Sequence, residues 1–118
     1  MSGEPQARRG DIWRVAFGRP VGHEQGAGTR PALVISSDAF NVEGGIVIAA
    51  PITSTARAYP SRVRIRPGAS GLERTSWAAV EHLRSISTLR LSEYVGAVDP
   101  GVLTEVERVV DLLLFDRD

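Results

Sequence analysis

The chain has no cysteine and no lysine among its 118 residues. Without cysteine there are no disulfides and no thiolate metal sites, which fits a reducing compartment. Without lysine, every one of the 14 basic residues is an arginine, a rigid fork of donors rather than a flexible point charge. Long apolar runs are also missing. No stretch approaches the ~20 residues of a membrane span, and Met1–Arg9 carries no hydrophobic segment of the kind a secretory signal needs. The expectation is a cytoplasmic protein with no membrane partner. Net charge is zero, with 14 acids against 14 bases, which excludes a wholly basic nucleic-acid-binding chain. There are two histidines, His23 and His82, and no spaced carboxylate set beside them. No metal site and no cofactor are expected.

What is present is an ordinary globular composition, 42% hydrophobic and 24% charged. The length suits one domain over residues 1–118, with residues 1–9 as a flexible polar tail. The charge is unevenly placed. Residues 1–74 hold ten arginines and six acids, net +4, and residues 75–118 hold four arginines and eight acids, net −4. Between Gly44 and Leu72 there are four arginines and no acid. One part of the molecule can therefore carry a basic face, although charge alone favours a solvated surface with arginine chosen for packing.

The element pattern is mainly β. In Asp11–Phe17, Trp13, Val15 and Phe17 alternate with Ile12, Arg14 and Ala16, which marks a strand. A second strand covers Arg30–Ser37. Ser37–Asn41 reads as a turn or one helical turn. Gly45–Ile52 reads as a buried third strand, with Pro51 placing it near an edge or a strand end. Arg62–Arg66 alternates cleanly, Val63 and Ile65 on one face and three arginines on the other. Ser76–Leu83 and Ser85–Leu89 read as further strand, Arg90–Tyr94 as a short helix, and Gly96–Val98 as a last short strand. Asp99-Pro100 starts a final helix, because Asp caps and Pro suits the first helical position. Its apolar stripe is Leu103, Val106, Val110 and Leu113, widened by Val102, Val109 and Leu114. The predicted fold class is α+β, mainly β: a small half-open barrel of five to six, up to seven, short strands with a C-terminal helix.

The segment Gly22–Ser36 carries the functional signal. Gly22–Thr29 has three glycines and small polar residues, the composition of an exposed loop. Arg30-Pro31 then switches abruptly into the core-type run Ala32–Ile35. An arginine at the mouth of a rigid strand, facing a loop, is well placed to take a phosphate or a carboxylate.

The ordered set of short motifs resembles the MazF/PemK family of toxins. It comprises RRGDIW at the first strand, GHEQ and RPALVIS around Arg30, APITS around Thr53, a Tyr-Pro pair at 59–60, and Arg-Ser-Ile at 84–86. The resemblance spans about Arg9 to Leu114. It implies an SH3-like barrel that forms a homodimer and cleaves single-stranded RNA, whether messenger, transfer or ribosomal, at short sequences without a metal. It also implies a cognate, MazE-like antitoxin whose acidic tail lies across the RNA site. Carried over by position, the catalytic arginine is Arg30 and the catalytic threonine Thr53, with Ser54 beside it. The loop glutamate matches Glu24, and an acidic position before Arg-Ser-Ile matches Glu81. One branch of the family has an arginine two residues before that acid, where this chain has Ala79. A non-nuclease of the same barrel, such as a CcdB-like gyrase poison or a member that only binds its antitoxin, is the alternative reading.

The chemistry agrees with those positions. Cleavage through the 2′-hydroxyl needs a base for that hydroxyl, stabilisation of the phosphorane charge and a proton for the leaving 5′-oxygen. Arg30 supplies fixed donors for the non-bridging oxygens. A guanidinium holds its protons too firmly to be a good proton donor. Thr53 can hydrogen-bond the phosphate, and Glu24 on its loop is the candidate base. Arg57, Arg62, Arg64 and Arg66, with Tyr59, form the candidate RNA-backbone surface. Glu81 is expected to be structural, holding an arginine such as Arg84. His23 and His82 are not expected to act as the acid or base. Trp13 and Trp77 are expected in the core or at a dimer seam rather than stacking on bases.

Overall fold

The computed structural model describes residues 6–17 and 29–115. Among the described residues, seven strands run in the order β1 (Asp11–Val15), β2 (Arg30–Val34), β3 (Ile46–Thr53), β4 (Arg62–Ile65), β5 (Ser76–Ala79), β6 (Arg84–Ser87) and β7 (Leu91–Ala97). Two helices accompany them, α1 (Asp38–Gly44) and α2 (Pro100–Phe115). Every strand pairing is antiparallel, in the order β4-β5-β3-β2-β1-β7, with β6 also on β3. No helix among the described residues is long and apolar enough to cross a membrane.

β3 is the strand on which the rest is assembled. One of its edges pairs with β2. The other pairs first with β6, over Ile46–Ala49, and then with β5, at Ile52 and Thr53. The sheet thus turns a corner within a single strand. Pro51 stands in the gap, after β6 has ended and before β5 begins. It is near the strand's end, as its missing N–H requires, but the strand itself is central rather than an edge. Both faces of β2 and β3 are covered, which is why their sequences are nearly continuously apolar. Leu33, Ala50 and Ile52 join Ile12, Val63, Ile65, Ala78 and Val80 in one core beneath α2. Ala32, Val34, Val47 and Ala49 join Val15, Ile86 and Leu91 in a second, flanked by Trp13 and Phe17. Trp13, Val15 and Phe17 do share a face, as the alternation predicts.

Two register shifts in the β1–β7 ladder, at Ile12/Trp13 and Arg14/Val15, add twist and help the sheet curl. The curl is finished by the segment after β4, which lies on β7: Ala97 donates its N–H to the Ala69 carbonyl at 3.1 Å. The approach is possible only with glycine. A Cβ on Gly96 would lie 2.3 Å from the Ser70 carbonyl oxygen, and one on Gly71 (φ 77°) 2.0 Å from the Val95 oxygen.

Several local readings are corrected. Ser37 caps α1, its hydroxyl accepting from the Phe40 N–H, and Gly45 ends it in the left-handed region, so the predicted turn is a seven-residue helix. The short helix predicted for Arg90–Tyr94 is not formed: Leu91–Tyr94 are strand. A 3-10 turn over Thr88–Arg90 leads directly into β7, which takes its conformation from pairing with β1. The strand predicted over Ser76–Leu83 stops at Ala79, and Val80–His82 form a 3-10 turn. α2 begins as expected, with Val102 N–H on the Asp99 carboxylate. Its buried axis is Val106 and Val109, and the predicted stripe members Leu113 and Leu114 remain exposed with Leu112 and Phe115. Residues Ala7–Arg9 of the predicted tail are pinned: Ala7 is buried, Arg8 N–H bonds Asp11, and Arg9 bonds Asp38, the Ile35 carbonyl and Glu107.

Candidate functional site

The C-terminal ends of β3 and β5 and the first residues of β2 and β6 enclose a groove of about 470 Å³. Arg30, Thr53, Thr55, Arg57, Arg62, Ala79, His82 and Arg84 line it, over a floor of Pro51 and Ile52. Among the described residues, four arginines and no acidic residue line this space. Such a site favours an anion with several oxygens, because each arginine offers a planar set of donors.

Arg30 is the first residue of β2. β2 and β3 pair Ala32 with Pro51, and continuing this antiparallel register two residues sets Arg30 across from Thr53. The two predicted catalytic side chains, 23 positions apart in sequence, therefore meet at one rim because of one ladder. Thr53 ends β3, where its hydroxyl oxygen accepts the Thr55 N–H at 3.1 Å. That bond fixes the rotamer and leaves the hydroxyl proton free to donate outward. Ser54 is exposed beside it but does not line the groove; Thr55, two residues on, does.

The arginine face predicted for 57–66 divides. Arg57 and Arg62 line the groove, whereas Arg64 and Arg66 line a separate depression of about 320 Å³ beside Ala97–Asp99 and Val102. Arg84 lines the groove from the start of β6, its guanidinium 5.1 Å from the Phe17 ring centre.

Glu81 holds an arginine, but the arginine is Arg62 rather than Arg84. Arg62 Nε donates to Glu81 Oε2 at 2.8 Å, and Nη2 lies 2.7 Å from the same oxygen. Ser61 Oγ donates to Oε1 at 2.7 Å, and the Tyr59 ring lies 5.0 Å from the Arg62 guanidinium carbon. Burial raises the Glu81 pKa, but hydrogen bonds from Arg62, Ser61 and the backbone, with the Arg62 charge, outweigh it and hold the carboxyl at about 2. Glu81 is thus a permanent carboxylate with both oxygens engaged. His82, which the sequence argument sets aside, lines the groove with Nε2 3.8 Å from Glu81 Oε2. Thr55 and His82 are the groove residues that sequence reasoning missed. A period of two from Thr53 would have found Thr55, while His82 enters only because the chain breaks from β5 into a 3-10 turn. Glu24 and His23 lie outside the described residues.

Comparison with known proteins points the same way. The chain is 34% identical over 113 residues to "Endoribonuclease MazF9" of Mycobacterium tuberculosis, covering 91% of this chain and 95% of the relative. It is 32% identical over 109 residues to "Endoribonuclease EndoA" of Bacillus subtilis, covering 91% and 93%. Among solved structures, a MazE-MazF crystal structure from Deinococcus radiodurans superposes with a TM-score of 0.79 at 34% identity, covering 94% of this chain and 97% of that one. The pattern of the PemK-like, MazF-like toxins of type II toxin-antitoxin systems matches residues 8–114, and with a barrel, ladder and groove of that kind the chain belongs to this family.

Proposed function

We propose that the groove is the active site of an endoribonuclease toxin that cleaves single-stranded RNA in the cytoplasm. The observation that carries this is that Arg30, at the start of β2, and Thr53, at the end of the neighbouring β3, line one groove with three further arginines and, among the described residues, no acid. A phosphodiester seated there has its non-bridging oxygens opposite fixed donors. In the reaction the 2′-oxygen forms a bond to phosphorus while the bond to the 5′-oxygen breaks, leaving a 2′,3′-cyclic phosphate and, once the departing oxygen takes a proton from water, a 5′-hydroxyl. Arg30 stabilises the charge that builds on the phosphorane oxygens. Thr53 Oγ–H is a second donor, already oriented by the Thr55 amide. Glu24, in the segment that precedes Arg30 in sequence, takes the 2′-hydroxyl proton. Neither a metal nor a cofactor takes part.

The toxin acts as a homodimer and is silenced by a cognate antitoxin of the MazE kind, whose acidic tail competes with RNA for the arginines. Exposed ion pairs contribute only ~0–1 kcal/mol each, so apolar anchors on the tail supply much of the affinity. The activity is tested by incubating the protein with a long single-stranded RNA in EDTA and identifying the termini. Cyclic phosphate ends are expected. A strict magnesium requirement, 5′-phosphate products, or intact RNA would overturn the reading.

A further inference from the structure

Ala79 and Arg62 are directly opposed in the β4–β5 ladder, and both line the groove. An alanine at this place leaves room above the sheet, and the side chain that enters the space comes from across the ladder. Arg62 is the most enclosed of the ion-paired arginines, its side chain 11% exposed. Its mobility is removed on two sides. Glu81 takes the Nε edge and Nη2, and the Tyr59 ring covers one face. Glu81 is in turn fixed by Ser61, the residue preceding Arg62, and Val80 N–H bonds the Ser61 carbonyl. What remains of the guanidinium is its Nη1 edge, which no described residue occupies. A long side chain normally loses much rotamer entropy when it grips a ligand. Here that entropy is already lost in the folded protein, so the donor stands ready.

We propose that Arg62 is a preset phosphate-binding residue of the groove and that Glu81 acts through it as a positioning residue, not as a proton acceptor. This rests on the reading of the groove as the RNA site. The occupied geometry of Glu81 is the reason it does not serve as a base. One oxygen receives Arg62 twice and the other Ser61, and a carboxylate stabilised in this way is a weak acceptor for a further proton. The group it presents to substrate is the arginine. Arg62 and Arg30 come from different strands, β4 and β2, that line the same groove, so Arg62 adds a second set of donors to those of Arg30.

The test is a double-mutant cycle on affinity for a 2′-O-methyl oligoribonucleotide, which cannot be cleaved, alongside single-turnover cleavage of the unmodified RNA. Arg62→Ala and Glu81→Ala should each weaken binding about tenfold. The double variant should bind no worse than Arg62→Ala alone, because Glu81 has nothing to position once the arginine is gone. Glu81→Gln, which keeps an oxygen for Arg62 but cannot accept a proton as a base, should retain cleavage within about fivefold of wild type, with an unchanged pH profile. Additive losses in the cycle, or Glu81→Gln as inactive as Glu81→Ala, would overturn the proposal. Should Glu81→Ala not fold, the Glu81→Gln cleavage rate and the affinity of Arg62→Lys decide it. Lysine cannot reproduce the fork, so tenfold weaker binding is expected and wild-type binding refutes the role. If wild-type protein binds the methylated RNA but cleaves no RNA, the proposed activity fails while the cycle still reports on the pair. Wild type that binds no RNA refutes both.

Discussion

Glu81→Gln preserves the shape of the Ser61–Glu81–Arg62 cluster and removes its negative charge. The cost can be worked from the carboxyl itself, which moves from 4.5 to about 2 on folding. At ~1.4 kcal/mol for each pH unit of displacement, this sets an upper bound of roughly 3 kcal/mol. The Glu81 side chain is 25% exposed, and screening by solvent brings the expected value to about 1–2 kcal/mol. The sign follows from the direction of the displacement. A carboxyl that is more acidic folded than unfolded contributes its full stabilisation above pH 4.5, and loses it as the pH falls towards 2. Urea unfolding of wild type and variant from about pH 7 to about pH 2 isolates the group, because every other carboxylate is common to both proteins. Wild type should be the more stable by about 1–2 kcal/mol at neutral pH, and the gap should close through the acid range. A gap that stays constant down to pH 2 would mean that the Arg62–Glu81 charge pair does not stabilise the fold.

Three further outcomes are expected. Arg30→Ala should lower single-turnover RNA cleavage by at least about 100-fold. Its circular dichroism and melting temperature should be unchanged, since Arg30 is exposed at the start of β2; near-normal cleavage by the folded variant would refute its role. Arg57→Ala should flatten the dependence of RNA affinity on salt by about 0.7 in the log–log slope, whereas Arg64→Ala, in the separate depression, should leave the slope as it is. Gly96→Ala should destabilise the protein by about 1–3 kcal/mol or more, measured by urea midpoint, because its methyl group meets the backbone of Ser70.

The fold and the rim of the site were legible in the sequence for different reasons. The period-two alternation of Val63 and Ile65 against three arginines, and the double-faced apolar runs of β2 and β3, reflect burial that a single strand expresses by itself. Arg30 stood out because a polar loop meets a core strand there. What failed was whatever depends on a distant partner. Leu91–Tyr94 gives no strand pattern, with only Leu91 of the four buried, and becomes β7 by pairing with β1, some eighty residues earlier. Arg62, Arg64 and Arg66 look equivalent in an alternating strand. They separate only because β5 places Glu81 next to the first, while the segment after Arg66 turns away to cover β7. The choice of Arg62 over Arg84 as the partner of Glu81 is of the same kind, since strand register is not written in either residue.

The seam at Gly71 and Gly96 also has a kinetic meaning. The contacts that close the barrel join the segment after β4 to β7, and β7 itself pairs with β1, so Asp11 must find Ala97 across nearly the whole chain. α1, the β2–β3 ladder and the β4–β5 ladder are closer in sequence and can assemble earlier. The seam is expected to form after the rate-limiting step, so that strain placed in it acts on the reverse reaction. Gly96→Ala should therefore accelerate unfolding while refolding proceeds at nearly the wild-type rate. The lifetime of each folded molecule is set at the seam, on strands other than those that carry Arg30 and Thr53.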